Sequence, residues 1–126
     1  MAAIRSAGTK PELIVRRLAH ALGYRYRLHA RDLPGKPDLV FGPRRRIIFV
    51  HGCFWHLHPK DDCLDARKPK SNRGYWLPKL RRNVERDAEH LATLKKMGWR
   101  VLVIWECETK NEAALTKRLN RFLAGT

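Results

Sequence analysis

One carboxylate stands at the point where an apolar strand is predicted to begin. In the segment Gly35-Lys36-Pro37-Asp38, the aspartate directly precedes the apolar run Leu39-Val40-Phe41. Buried carboxylates in proteins are usually paired with another group or bound to a metal ion. An aspartate that caps its own backbone in a turn after a proline is the alternative interpretation. The apolar surroundings favour a metal ligand at Asp38.

A second apolar strand follows Asp38 in the chain. Gly42-Pro43 and three arginines separate the first strand from Ile47–Val50, which predicts a hairpin with strands that are apolar on both faces. Metal-dependent nucleases of the restriction-endonuclease type hold Mg²⁺ between strand ends of this kind. Their usual acid-x-lysine motif is replaced here by Phe49-Val50-His51.

Cysteine and histidine residues cluster directly after the hairpin. Residues 51–58 hold three of the six histidines, and two of the three cysteines lie at positions 53 and 63. Thiolate and imidazole groups at such spacings are typical of a tetrahedral structural zinc site. The predicted zinc ligands are Cys53, His58, Cys63 and Cys107. Cys107 has an alternative interpretation as an ordinary buried strand residue.

Two histidines of this cluster remain outside the predicted zinc site. His51 and His56 are candidates for proton transfer beside the carboxylate. A histidine that acts as a base is commonly oriented by a carboxylate. Helical spacing suggests Asp87 for this role, since it falls on one stripe with Leu80, Val84, Leu91 and Leu94. A solvated position on the outer face of that helix is the alternative for Asp87.

Aromatic residues flank the polar segment between positions 52 and 74. They are Phe54, Trp55, Tyr75 and Trp76. Exposed aromatic side chains in a basic protein can stack on bases or wedge between them. Alternatively, they cover the zinc segment as a small core of their own, which we favour for Tyr75.

The periodic segments predict an α/β protein with the order α-β-β-β-α-β-α in a single domain over residues 1–126. The first and last helices follow the capping boxes Thr9–Glu12 and Thr109–Glu112. A strand through Tyr24–His29 alternates apolar and basic residues, and a long helix runs from Trp76 to Met97. The final strand is Val101–Trp105.

The charge of the chain indicates its class of partner. The 27 lysines and arginines exceed the 12 acids and give a formal net charge of +15. This charge is typical of a protein that binds nucleic acid. No apolar run approaches the length of about 20 residues that a membrane span needs. The odd number of cysteines and the polar N-terminus predict a cytoplasmic protein without a disulfide framework.

Several segments together resemble one family. They are IRSAGTKPEL, YRYRLH, DLPGKPDLVF, IIFVHGCFWH, NVERD and GWRVLVIWEC, in this order. They resemble the very short patch repair endonucleases, which nick DNA beside the T of a T:G mismatch. The resemblance implies a restriction-endonuclease-like core, with a mixed central sheet flanked by helices and a structural zinc site.

The resemblance also implies roles for individual residues. Asp38 and the backbone carbonyl of Val50 would bind a catalytic Mg²⁺, and His56 would act as the base with support from Asp87. His51 and Glu12 would act through metal-bound waters, although the capping box alone also explains Glu12. The implied wedge that enters the duplex beside the mismatch is formed by Phe54, Trp55 and Trp76.

The partner implied by the resemblance is double-stranded DNA with a T:G mismatch, bound by a monomeric enzyme near the bacterial nucleoid. A mismatch-repair protein is a candidate second partner. Three other functions stay open from the residues alone. They are a nuclease of the same fold for other DNA structures, a zinc-stabilised DNA-binding module without catalysis, and an RNA-binding protein.

Overall fold

The helices and strands follow one another in the predicted order. The structure, a computed structural model, describes residues 10–53 and 73–125, and of Arg73 and Trp76 the backbone alone. Within these ranges the elements are α1 (Lys10–Ala21), β1 (Arg27–Leu28), β2 (Leu39–Phe41), β3 (Arg46–His51), α2 (Arg73–Lys96), β4 (Arg100–Trp105) and α3 (Glu112–Ala124). The predicted hairpin and final strand are confirmed.

The four strands form one mixed sheet in the order β1-β2-β3-β4. β2 pairs antiparallel with both β1 and β3, with Leu39 opposite Ile48 in the second pair. β3 and β4 run parallel over six residue pairs and end at the pair of His51 with Trp105. The parallel pair requires a long crossover, and the chain makes it through the segment that contains α2.

Helices cover both faces of the sheet. On one face, Leu18 of α1 and Leu119 of α3 pack with Ile48 of β3 in one buried cluster. On the other face, Leu94 of α2 packs with Ile47 in a second cluster. The two clusters explain why β2 and β3 are apolar on both faces. The predicted mixed sheet flanked by helices is confirmed.

The first strand is shorter than predicted, and only Arg27 and Leu28 pair with β2. The alternation nevertheless has the predicted effect. Tyr24 and Tyr26 are half-buried against the ring of Phe41, with ring centroids 6.5 Å and 5.7 Å away. Side-chain burial therefore follows the period of two although the backbone pairing covers only two residues.

Two helices begin at residues other than the predicted ones. α2 begins at Arg73 instead of Trp76, so Pro78 lies in its second turn. The N-cap of α3 is Asn111, whose side chain accepts a hydrogen bond from the Ala114 N–H at 3.1 Å. Thr109 belongs instead to a preceding 3₁₀ helix and donates to the Glu106 carbonyl at 2.7 Å. A closer cap thus replaces the predicted capping box.

The helices are amphipathic and rich in charge. Among the described helices, α2 is the longest at 24 residues and contains seven lysine or arginine residues. Among the described residues, no helix has both the length and the apolar character needed to cross a membrane.

The core beneath α1 and α3 should dominate stability. Leu119 is fully buried in it, whereas Leu13 on α1 is 48% exposed. We expect Leu119→Ala to lower the free energy of unfolding by roughly 2–5 kcal/mol, because it leaves a cavity. Leu13→Ala serves as the matched control and should change it by about 0.5 kcal/mol or less. Urea denaturation measures both, and equal effects would contradict the assignment of this core.

Candidate active site

Asp38 lies directly before β2 and is held by the backbone of β3. Its Oδ2 accepts a hydrogen bond from the Val50 N–H at 2.7 Å. The N–H and C=O of one strand residue point to the same side of the strand, so the Val50 carbonyl also faces Asp38. Pro37, which would oppose Val50 if the ladder continued, has no N–H to donate. The structure therefore brings Asp38 and Val50 together, and their role as metal ligands stays a prediction.

Glu12 brings a second carboxylate to this position from the first turn of α1. Its side chain is 2% exposed, and it forms a hydrogen bond with the carboxyl group of Asp38. The Arg16 guanidinium lies 3.6 Å from Glu12 Oε2, one turn further along the helix. Thr9 lies outside the described residues. The contact with Asp38 gives Glu12 a place in the site.

The surroundings change the acidity of Asp38. Burial raises the pKa of its carboxyl group from 3.8 to about 7, and the neighbouring Glu12 adds to this rise. The hydrogen bond from Val50 and the charge of His29 act in the opposite direction. Near neutral pH the carboxyl group of Asp38 is thus partly protonated, because burial and the adjacent Glu12 oppose its ionisation.

His29 is the third member of the site, although it was not among the residues predicted from the sequence. Its Nε2 lies 2.8 Å from Glu12 Oε2. One ligand atom from each of Glu12, His29 and Asp38 can be chosen so that all three lie within 4.8 Å of one another. We call these three residues the carboxylate–histidine cluster. A prediction that β1 pairs with β2 would have brought His29 beside Asp38, but only the hairpin of β2 and β3 was predicted from the sequence.

His51 lies at the end of β3, outside the carboxylate–histidine cluster. The side chain is buried between Phe49 and Trp105, with ring centroids 5.7 Å and 5.2 Å from its own. Alternation along β3 places it on the same face as Phe49, which packs toward α2. Its predicted role through metal-bound waters stays a prediction.

Asp87 is half-buried on α2. It lies seven residues after Leu80 and seven before Leu94, both fully buried, and so shares their helix face. Val84 was expected on the same stripe but is 39% exposed, because its position lies at the flank of that face. Among the described residues, the carboxylate–histidine cluster does not include Asp87.

Two of the four predicted zinc ligands belong to the described residues. Cys53 is fully buried, and Cys107 is half-buried in the 3₁₀ helix that follows β4, not in the strand itself. Each follows by two residues the paired His51 and Trp105 at the ends of the parallel strands. The Cys53 N–H donates to Glu106 Oε1 at 3.3 Å, which links the two strand ends. Cys53 and Cys107 thus follow adjacent strand ends.

Comparison with known proteins decides the family. The family described as DNA mismatch endonuclease Vsr matches residues 1–63. DNA mismatch endonuclease Vsr of Escherichia coli is 39% identical, with 97% of this chain and 81% of the relative covered. The chain belongs to the Vsr family of DNA mismatch endonucleases. A type II nicking enzyme of Xanthomonas oryzae, V.XorIIP, is 50% identical to this Vsr-family chain over 98% of it and 88% of the relative.

The fold of this Vsr-family chain also has a counterpart among solved structures. The catalytic domain of the homing endonuclease I-Bth0305I matches with a TM-score of 0.65, covering 93% of this chain and 96% of that domain. At 22% identity the likeness concerns the fold. It agrees with the predicted endonuclease-like α/β architecture, and the zinc site stays a prediction.

The remaining predicted residues of this Vsr-family chain lie outside the described residues, or are described by their backbone alone. Phe54, Trp55, His56, His58 and Cys63 lie outside the described residues. The backbone of Trp76 lies in the first turn of α2. The predicted base, wedge and half of the zinc ligands therefore stay predictions.

The raised pKa of Asp38 predicts how stability depends on pH. The folded state holds a proton that the unfolded state releases near 3.8, so this contribution is complete at low pH and is lost as pH rises through about 7. Asp38→Asn keeps an acceptor for Val50 and does not titrate. The variant should therefore gain stability relative to the parent between about pH 4 and 7, by roughly 1.4 kcal/mol for each pH unit at most.

Denaturant unfolding at several pH values, without added divalent cations, measures this difference. Asp32→Asn is a suitable control because Asp32 is 66% exposed in the same segment. Parallel stability curves for the parent and Asp38→Asn would contradict the raised pKa.

Proposed function

We propose that this Vsr-family chain nicks one DNA strand beside the T of a T:G mismatch by Mg²⁺-dependent hydrolysis of a phosphodiester. The observation that carries the proposal is the half-buried carboxylate of Asp38, which contacts Glu12 and the backbone of Val50 in a member of an endonuclease family. Carboxylate and carbonyl oxygens are the ligands that Mg²⁺ prefers. The donor set of these residues fits this ion.

Asp38 and the Val50 carbonyl would hold the cation, and Glu12 and His51 would contact it through water. A bound Mg²⁺ supplies charge neutralisation at the scissile phosphate and lowers the pKa of water. An imidazole nitrogen of His56 would accept the proton of the attacking water, with Asp87 orienting the ring. These assignments give each residue a distinct task in one hydrolytic step.

Mismatch preference would come from the deformability of the duplex. A wobble pair costs less to unstack than a Watson–Crick pair, and Phe54, Trp55 and Trp76 would enter the stack as a wedge. Arg31 and Lys36 are exposed on the segment that leads to Asp38, where they suit contacts to phosphates. The net charge of +15 supports binding to any DNA and thus adds affinity without sequence preference.

A nicking assay tests this function. We expect the parent to nick a labelled T:G duplex with Mg²⁺, and neither a matched duplex nor single-stranded DNA. Asp38→Asn should abolish nicking and retain much of the DNA affinity, since it removes a metal ligand and leaves the basic surface intact. Asp32→Asn is the matched control and should nick like the parent.

The alternative functions give different results in the same assay. Equal cleavage of matched and T:G duplexes would indicate a nuclease for other DNA structures. Binding without any nick, with Mg²⁺ or with EDTA, would indicate a DNA-binding module. Retained Mg²⁺-dependent cleavage by Asp38→Asn would overturn the site assignment.

We further propose that Cys53, His58, Cys63 and Cys107 bind one structural zinc ion. The proposal is supported by two cysteines that follow the ends of adjacent parallel strands. Structural zinc contributes directly to folding free energy, so loss of a ligand should lower both zinc content and melting temperature. Zinc analysis of purified protein and thermal unfolding measure the two effects.

Cys107→Ala and His58→Ala should each lose zinc, whereas His20→Ala should retain it because His20 is exposed on α1 near Arg25. A fully stable parent without zinc would show the cysteines to be ordinary core residues.

A further inference from the structure

The carboxylate–histidine cluster contains a nitrogen donor that the proposed Mg²⁺ site does not need. His29 follows β1, and its backbone N–H donates to the carbonyl of Asp38 at 3.1 Å. This bond fixes His29 opposite the metal-ligand candidate Asp38. The side chain is 32% exposed, so solvent and ions reach it from outside.

The direction of the imidazole is set by its contact with Glu12. His29 Nε2, the atom at the far end of the ring, lies 2.8 Å from Glu12 Oε2. The backbone of His29 adopts a positive φ of 49°, a conformation that a non-glycine residue enters at a cost of roughly 1 kcal/mol. Packing and hydrogen bonds therefore hold the ring toward the carboxylates.

The chemistry of the three donors differs from that of an all-oxygen site. Mg²⁺ prefers oxygen ligands, whereas imidazole nitrogen favours first-row transition-metal ions. We propose that His29 supplies a nitrogen ligand to the cation held by Asp38, beside Glu12, so that this site binds Mn²⁺ more tightly than Mg²⁺. The inference deepens the proposed function, on which it rests for the presence of a catalytic cation.

A hydrogen-bond partner of Glu12 is the simpler role for His29. Arg16 already places a positive charge 3.6 Å from the same Glu12 oxygen, so the carboxylate does not depend on His29 for a counter-charge. Since histidine ligates metals through an unprotonated nitrogen, a bound cation would replace the hydrogen bond between His29 and Glu12. The two roles therefore differ in the presence or absence of a metal–nitrogen bond.

Electron paramagnetic resonance of Mn²⁺ distinguishes the two roles. The full chain, saturated with zinc and freed of excess metal, is titrated with Mn²⁺, and the free-ion signal gives its Kd. Competition of Mg²⁺ against bound Mn²⁺ gives the Kd of Mg²⁺ at the same site. Pulsed electron paramagnetic resonance of the bound Mn²⁺ then detects a directly coordinated nitrogen. This readout does not depend on nuclease activity.

We expect Mn²⁺ to bind roughly tenfold or more tightly than Mg²⁺, with a coordinated nitrogen. His29→Gln keeps an amide donor for Glu12, yet it should lose the nitrogen signal and most of this preference. His29→Asn is a second variant that tolerates the positive φ and guards against loss of the fold. His20→Gln is the matched control and should behave like the parent.

The outcomes separate this inference from the proposed function. An all-oxygen Mn²⁺ signal in a parent that nicks T:G duplexes would overturn the role of His29 and leave the function intact. A nitrogen signal that persists in His29→Gln would also overturn it. A nitrogen signal that disappears in His29→Gln would support it even if the parent failed to nick the mismatch.

Discussion

The hydrogen bond from the Val50 N–H to Asp38 connects the centre of the sheet to the candidate active site. Where the ladder between β2 and β3 ends, the carboxylate of Asp38 takes the place of a backbone acceptor. This bond fixes the oxygen positions relative to β3, and it orients the Val50 carbonyl toward the same point. A side chain held by strand backbone is placed more rigidly than one on a free loop, which suits a metal ligand.

The surrounding fold places a second carboxyl group next to Asp38. Because β2 and β3 are apolar on both faces, α1 must cover one of them, and its first turn carries Glu12 to Asp38. The half-buried carboxyl group of Asp38 stays partly protonated near neutral pH, because burial and the adjacent Glu12 oppose its ionisation. The site is therefore unfavourable when both groups are ionised without a counter-ion. A bound divalent cation would reduce the repulsion between the two carboxylates. The same residues would therefore affect both the proposed activity and the stability of the fold.

The Vsr family and the elements that carry the carboxylates could be predicted from the sequence. The alternation in β2 and β3 and the isolated Asp38 are local features, and each depends on side chains a few residues apart. The quoted segments also sufficed to indicate the family, which the relatives confirm. The residues at which the helices begin were less well determined by the sequence. Thr109 and Asn111 both offer caps for α3, and the choice of Asn111 depends on how the preceding 3₁₀ helix packs.

The sequence alone determined the order of elements, the central hairpin and the place of Asp38, because hydrophobic periodicity and capping residues act over short distances. Only the tertiary structure decided that His29 completes the cluster with Glu12, 17 residues away. Periodicity described His29 as one of several basic residues on a strand face. Its contact requires both the pairing of β1 with β2 and the packing of α1 on the sheet. Such a contact is fixed by the relative positions of three elements, and no spacing within one segment encodes it.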